Sequence, residues 1–179
     1  MVLLEAAHIG KHFGGVIAVD DVSANVHEGS IHAVIGPNGA GKTTFFNTLS
    51  GFFFPDTGRV TFDGRDITRL PNWQRVAGGM GRTFQTPSIF PELTVHENLR
   101  LGIWSAKGQA FRLRGGTRAE TEAVEARIDE LLGFVNLANS RSRIVAELSH
   151  GSQRLCEIAM SLSTSPKLVL LDEPMAGLA

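Results

Sequence analysis

The sequence lacks the features that mark secreted, membrane-spanning or strongly charged proteins. Its 179 residues include one cysteine, so no disulfide can form within the chain, which fits a reducing compartment. No apolar run approaches the roughly 20 residues that span a bilayer, and no basic N-terminal segment precedes a long apolar stretch. Seventeen Lys and Arg residues balance 18 Asp and Glu residues, so charge gives no reason to expect nucleic acid or an anionic membrane as a partner. We therefore expect one compact, soluble unit that reaches a membrane only through a partner.

The strongest positive signal is the glycine-rich stretch 36–43, which fits the pattern G-x-x-x-x-G-K-[ST] of a phosphate-binding loop. It follows an apolar run at 31–35, which predicts a strand. It precedes 43–50, which predicts a helix that ends at Gly51. Strand, loop and helix form the context that the motif requires.

In such a loop, glycines allow backbone conformations that a Cβ forbids, so successive N–H groups converge on phosphate oxygens at a helix N-terminus. We expect Lys42 to reach the β- and γ-phosphates and Thr43 to coordinate Mg²⁺, while Thr44 lies where it can contact the α- or β-phosphate. The residues of the loop predicted to bind nucleotide are Gly36, Asn38, Gly39, Ala40, Gly41, Lys42, Thr43 and Thr44.

The rest of the N-terminal region predicts a small antiparallel sheet attached to a nucleotide-binding core. The expected strands of this sheet are 2–4, 16–19 and 22–26. After the first helix, another strand is expected from Thr57, ending in an Asp-Gly turn at 63–64. Phe13 lies beside a pair of glycines, and its spacing leaves open whether it stacks on a base or packs in the core. The run Phe52-Phe53-Phe54 is most simply explained as buried packing.

The middle of the chain is mainly helical in pattern. A short helix is predicted at 71–77, then a buried strand from Met80 that ends at Gln85, a polar residue where α/β folds place ligand contacts. Two capping boxes, at Thr94–Glu97 and Thr117–Glu120, each predict the start of a helix. The face of the second helix that we expect to be buried consists of Val124, Ile128, Leu131 and Leu132.

The stretch 148–153, Leu-Ser-His-Gly-Ser-Gln, opens another predicted helix. Ser149 and Gly151 at its start suit a second phosphate contact, although most serines in such positions are ordinary helix caps. The expected apolar face of this helix is Leu155, Ile158, Ala159 and Leu162. Cys156 lies among them and is expected to be a small core residue rather than a nucleophile.

Two carboxylates follow the apolar run 168–171, which is long enough only for a buried strand. They are Asp172 and Glu173. Two acids at the end of a buried strand are costly unless a cation or catalysis uses them. This pattern therefore predicts a metal or catalytic site.

Taken in order, the phosphate loop, Gln85, 148–153 and 171–174 resemble the Walker A, Q-loop, signature and Walker B motifs of ATP-binding-cassette ATPases. The resemblance covers nearly the whole chain. Three segments look most like the ATP-binding subunits of bacterial branched-chain amino acid importers and the related urea importers: 81–85, 90–99 and 171–178.

The resemblance implies an α/β fold, a P-loop ATPase core with an antiparallel β subdomain and a helical insert. Residues 1–179 are expected to form a single, incomplete ATPase domain. Its expected parts are the core with the β subdomain at 1–90, the insert at 91–150 and the return to the core at 151–179.

The same resemblance implies a role for each motif residue, with ATP and Mg²⁺ as the bound species. Phe13 stacks on adenine, and Lys42 holds the phosphates. Gln85 senses the γ-phosphate and Mg²⁺, and its loop faces a membrane subunit. Asp172 holds Mg²⁺ through water, and Glu173 is the general base for the attacking water.

The expected partners also follow from the resemblance. Ser149 and Gly151 bind ATP held by a second copy or a related ATPase subunit, so catalysis needs a homodimer or heterodimer. Closing and reopening this dimer drives transmembrane permease subunits, which a periplasmic or extracellular substrate-binding protein supplies. The implied location is cytoplasmic, on the inner face of the cell membrane, with no nucleic acid as a partner.

Two departures from the family pattern stand out. The usual signature is Leu-Ser-Gly-Gly-Gln, and here His150 and Ser152 replace its third and fifth residues. All six histidines precede Glu173, so the family's switch histidine is absent and we expect a partial chain lacking the C-terminal part of the fold. We expect such a chain to be poorly stable or to self-associate, to bind nucleotide, and to hydrolyse ATP slowly.

Two other kinds of function remain open. A cassette ATPase of DNA repair or translation predicts long coiled coils or a tandem second cassette, and the sequence has neither. A nucleotide-binding scaffold that does not hydrolyse ATP is the other alternative. An ATPase assay with and without a permease distinguishes these functions.

Overall fold

The computed structural model describes residues 1–82, 89–106 and 117–172. The chain forms two compact units, Met1–Met80 and Gly81–Ala179, and each is described by itself. The strands of the described part are β1 (Val2–Phe13), β2 (Val16–His27), β3 (Thr57–Phe62), β4 (Arg65–Asp66), β5 (Met80–Arg82) and β6 (Leu168–Leu170). Its α-helices are α1 (Lys42–Leu49), α2 (Asn72–Ala77), α3 (Val95–Ala106), α4 (Arg118–Phe134) and α5 (His150–Leu162). Helix and sheet are mixed, as expected, and no helix of the described residues is long and apolar enough to cross a membrane.

The first unit contains a four-stranded sheet in the order β2-β1-β3-β4. All its pairs are antiparallel, and the sequence predicted this for the strands that became β1 and β2. β1 and β2 are continuous strands of 12 residues each, longer than the short strands expected from the sequence. Bulges interrupt their pairing, for example between Ala6 and Ile9, where His8 has a φ of 54°. Such bulges let long strands bend and twist without losing their partners.

The strand predicted at 31–35 is wrong. This segment has no regular secondary structure and Ile31 is 100% exposed. An extended segment becomes a strand only when a neighbour accepts and donates its backbone hydrogen bonds, and no strand of the described residues pairs with this one. The apolar pattern therefore identified residues able to form a strand, but not whether a neighbouring strand is present.

The prediction that Phe52, Phe53 and Phe54 are buried is also wrong, because all three are exposed. The chain turns at Gly51, which has a φ of 80°, and the N–H groups of Phe52 and Phe53 both donate to the carbonyl of Asn47. Three consecutive side chains in such a surface turn point in different directions. They cannot all reach one core.

The second unit contains a two-stranded sheet of β5 and β6, and a core between α3, α4 and α5. Both capping boxes are confirmed. In each, the threonine hydroxyl accepts from the backbone N–H of the glutamate, whose carboxylate accepts from the threonine N–H. The predicted buried face of α4 is also confirmed, since Val124, Ile128, Leu131 and Leu132 are all buried.

The predicted face of α5 is only partly right. Ala159 is buried and Leu155 and Leu162 pack half-buried against the core, but the fully buried residues of this helix also include Arg154, Cys156 and Glu157. Arg154 and Glu157 form an ion pair one turn apart, which lets two charged side chains enter the interior. Cys156 is a core residue as expected, and burial raises the pKa of its thiol to about 12.

A buried arginine, Arg75, links several segments of the first unit by hydrogen bonds. The guanidinium of Arg75, on α2, donates to the carbonyls of Thr48 at 2.9 Å and Leu49 at 2.7 Å, at the C-terminal end of α1. It also donates to the carbonyls of Leu70 and Thr68, at 2.8 and 3.0 Å. Burial lowers the pKa of Arg75 to about 10, so the group remains charged at neutral pH. One side chain thus connects α1, α2 and the segment between them.

Replacing Arg75 with methionine tests this role. The Arg75→Met variant leaves buried carbonyls without donors, so we expect it to lower the free energy of unfolding by about 3 kcal/mol in urea titrations. Arg59→Met is the matched control, because Arg59 is exposed and its ion pair among the described residues is with the exposed Asp66. That variant should cost less than about 1 kcal/mol. Equal losses in the two variants would show that the buried hydrogen bonds of Arg75 contribute little.

Candidate functional site

The predicted phosphate loop leads directly into α1, which begins at Lys42. Gly41 is the N-cap residue, with a left-handed φ of 83° and no side-chain cap. The first turn contains no acidic residue. The first N–H groups of a helix lack intrahelical acceptors and carry the positive end of its dipole. The N-terminus of α1 therefore suits an anion.

The lysine of the motif folds back over its own loop. Its ammonium group donates to the carbonyl of Gly36 at 2.7 Å and to that of Pro37 at 2.8 Å, while the N–H of Ala40 donates to Pro37 at 3.2 Å. The segment is therefore a closed turn that holds Lys42 at the mouth of the helix. A lysine ammonium has three donors, so its chemistry fits a phosphate oxygen at this place.

One glycine of the loop packs against the neighbouring sheet. A Cβ built on Gly41 would lie 2.1 Å from the carbonyl oxygen of Ala18, in β2. Only glycine allows both this close approach and the left-handed backbone. Gly39 has the same φ of 83°, but a Cβ there would meet nothing within 4 Å. The two glycines thus serve different purposes, one in packing and one in conformation alone.

Phe13, at the end of β1, is not a core residue, because 43% of it is exposed. Its ring centroid lies 5.2 Å from that of Phe53, with the planes at 75°. The ammonium of Lys11 lies 5.5 Å from the centre of the same ring. Phe13 is therefore accessible yet held by two neighbours, which suits a surface on which a base can stack.

In the second unit, Asp172 follows β6 and is buried. Its backbone carbonyl accepts from Arg154, and its Oδ2 lies 3.9 Å from the guanidinium of Arg82, beyond hydrogen-bond distance. No donor of the described residues bonds to this Oδ2. A buried carboxylate oxygen is costly in that state, so its chemistry fits a hydrated Mg²⁺ ion.

The signature residues lie at the start of α5. Ser149 is the N-cap, and its hydroxyl accepts from the N–H of Ser152 at 3.2 Å and donates to the Ser152 hydroxyl at 3.0 Å. Gln153 donates to the carbonyls of Val145 and Leu148. Gly151 lies in the first turn. Ser149 therefore has the ordinary capping role in this chain, and Ser152 takes part in it.

The structure thus groups the loop residues in the first unit, and Ser149, Gly151 and Asp172 belong to the second. Gln85 and Glu173 lie outside the described residues. Two residues that sequence reasoning missed are Arg75 and Asp56, which bonds to the strand that carries Phe13. Neither belongs to a local motif, because Asp56 bonds to β1 and Arg75 bonds to the end of α1, both distant in the chain.

A search with sequence models of protein families matches residues 19–176 to the family described as ABC transporter. The probable branched-chain amino acid transport ATP-binding protein LivG of Methanocaldococcus jannaschii is 38% identical over 100% of this chain and 70% of its own length. The BraF protein of the same transport class from Pseudomonas aeruginosa is 39% identical over 98% of this chain and 71% of its own. The spermidine/putrescine import ATP-binding protein PotA of Nitrosospira multiformis is 37% identical over 99% of this chain and 45% of its own length.

Two solved structures are similar in fold as well as sequence. One is an ATP-binding cassette of an ABC transporter, with 38% identity, a TM-score of 0.86, and coverage of 100% of this chain and 72% of that one. The other is a dimeric post-hydrolysis state of an ATP-binding cassette bound to ADP and phosphate. It has 25% identity, a TM-score of 0.81, and coverage of 99% and 76%.

The different environments of the two loop glycines give a direct test. Gly41→Ala should lower the thermal midpoint of unfolding by several degrees, since its methyl group overlaps the Ala18 carbonyl and its φ is strained. Gly39→Ala carries the strain without the overlap and should lower the midpoint less. A midpoint for Gly41→Ala equal to or above that of Gly39→Ala would contradict the packing of the loop against β2.

Proposed function

Since this chain belongs to the ABC transporter family, we propose that it is the ATP-binding subunit of an importer for branched-chain or other hydrophobic amino acids. The observation that carries the proposal is the glycine loop at the N-terminus of α1, with Lys42 held at its mouth. The relatives named for branched-chain amino acid transport support the substrate class. ATP binding and hydrolysis by this subunit supply the energy for uptake.

In this proposal the first unit binds the nucleotide. The N–H groups that open α1 and the ammonium of Lys42 bind the β- and γ-phosphates, and Thr44 contacts the α- or β-phosphate. The exposed ring of Phe13 stacks on adenine. The glycines allow the backbone of the loop to approach the phosphates.

In this proposal Thr43, Gln85 and Asp172 would hold Mg²⁺. The bound ion would neutralise charge on the phosphate oxygens. Asp172 suits this role because its buried Oδ2 has no hydrogen-bond donor among the described residues. Glu173 accepts the proton of the attacking water, a role that needs a carboxylate next to the metal site.

Hydrolysis needs a second subunit in this proposal. Ser149 and Gly151, at the start of α5, contact the γ-phosphate of ATP held by the partner, which is a second copy or a related subunit. The similar cassette that is dimeric with ADP and phosphate bound supports a dimer. The subunit lies on the cytoplasmic face of the membrane, bound to its permease.

The permease contact is proposed for the segment from Gln85 to Leu101, together with the helical insert. Within it, Phe90 is 51% exposed, and its backbone is held on both sides by the buried side chain of Asn98. The Asn98 oxygen accepts from the Phe90 N–H at 2.8 Å, and its amide donates to the Phe90 carbonyl at 3.0 Å. An apolar ring presented by a fixed backbone suits a protein contact.

Lys42→Ala tests the nucleotide site. Loss of the ammonium removes a charge-assisted contact to the phosphates, so binding of a fluorescent ATP analogue should fall below detection. Lys167→Ala is the control, since Lys167 is exposed and outside the loop. Unchanged affinity in Lys42→Ala, with a thermal midpoint that shows a folded protein, would refute the assignment of the loop.

The importer role is tested in proteoliposomes that contain the permease subunits of a branched-chain amino acid importer. Leucine and its binding protein should stimulate ATP turnover, and spermidine should not. Phe90→Asp should abolish the stimulation while basal ATP binding stays unchanged. Trp73→Asp is the matched control, because Trp73 is 67% exposed on α2, outside the segment and the insert proposed to contact the permease. Equal loss of stimulation and binding in Phe90→Asp would indicate damage to the fold, and a response to spermidine alone would refute the substrate class.

A further inference from the structure

An acidic side chain holds the end of the strand that carries Phe13. Asp56 lies between α1 and β3, and its carboxylate bonds to both residues that precede Phe13. The Lys11 ammonium donates to Oδ1 at 2.9 Å, and the backbone N–H of His12 donates to Oδ2 at 2.7 Å. The His12 ring also approaches this carboxylate, with Nδ1 at 3.4 Å from Oδ2.

The backbone at Asp56 and Thr57 also bonds to β1. The backbone N–H of Asp56 donates to the carbonyl of Gly10 at 2.8 Å, and Gly10 pairs with Thr57. A Cβ on Gly10 would lie 2.4 Å from the Thr57 hydroxyl, so β1 and β3 approach at this point as closely as glycine allows. Residues 10–12 are therefore fixed by both the backbone and the side chain of Asp56.

These contacts extend to the ring of Phe13 itself. Lys11, which Asp56 binds, lies over the ring, and Phe53, from the turn that leads to Asp56, meets it nearly at right angles. The hydrogen bonds from Lys11 and His12 hold the pKa of Asp56 at about 2. The carboxylate therefore stays charged, and the contact stays formed, throughout the neutral pH range.

We propose that Asp56 positions Phe13 for stacking on the base of ATP, and so determines how strongly the site prefers a nucleotide to a bare triphosphate. The inference rests on the function proposed above. Asp56 is a positioning residue, because it contacts the strand that carries the ring and acts on the base only through Phe13. Nothing in this role concerns the phosphates, which bind at the loop and Lys42.

The proposal is tested by calorimetric titration of the full chain with ATP and with inorganic tripolyphosphate, both with Mg²⁺. Phe13→Ala should weaken ATP about tenfold, the usual scale of a lost base–aromatic stack. Asp56→Ala should weaken ATP about three- to tenfold and tripolyphosphate less than about twofold. Asp56→Asn keeps an acceptor for the His12 N–H but loses the Lys11 ion pair, so it should fall between wild type and Asp56→Ala.

Asp66→Asn is the matched control, since Asp66 is another exposed aspartate of the first unit and bonds to Thr68 instead. It should change neither affinity. The inference would be overturned if the Asp56 variants lost affinity for ATP and for tripolyphosphate equally. It would also be overturned if Phe13→Ala weakened ATP binding while the Asp56 variants left it unchanged. If Asp56→Ala fails to fold, Asp56→Asn and Lys11→Met decide by the same two-ligand comparison. A wild-type protein that binds neither ligand would instead refute the proposed function.

Discussion

The pairing of β1 with a strand on each side is the interaction on which the first unit depends. On one side β2 brings the carbonyl of Ala18 against Gly41, which leaves room for no other residue at the helix cap. On the other side Asp56 and Thr57 close on Gly10. β1 therefore pairs both with the strand that contacts the loop proposed to bind phosphates and with the segment that fixes the aromatic proposed to bind the base.

Two buried arginines, Arg75 and Arg154, donate hydrogen bonds to backbone carbonyls at the end of a helix or a strand. Arg75 places its cation against the last carbonyls of α1, the negative end of the helix dipole, while the opposite end is the proposed phosphate site. The helix would then have a charge of the favourable sign at both termini. In the second unit Arg154 and Glu157 form a buried ion pair, and Arg154 also bonds to the carbonyl of Asp172. Such charges persist in an interior because each has specific partners.

The sequence predicted what depends on local spacing. The two capping boxes, the buried face of α4 and the helix after the phosphate loop are fixed by residues three or four positions apart, and all are present. The strand at 31–35 depends on a neighbour that local pattern does not supply. Asp56 bonds to Lys11 and His12, which precede it by 45 and 44 positions, so local spacing could not predict its role. The roles of Gln85 and Glu173 remain sequence predictions, because both lie outside the described residues.

Phosphate and base recognition are physically connected in the first unit. The eight residues of α1 span about 12 Å, and the turn after it leads within seven residues to Asp56. This stretch is fixed at its start by Gly41 against β2, at the end of the helix by Arg75, and at its end by Asp56 against β1. A ring fixed before the ligand arrives loses little conformational entropy on binding. The stacking energy of Phe13 would then contribute almost fully to nucleotide affinity, and a mobile ring in the same place would forfeit part of it.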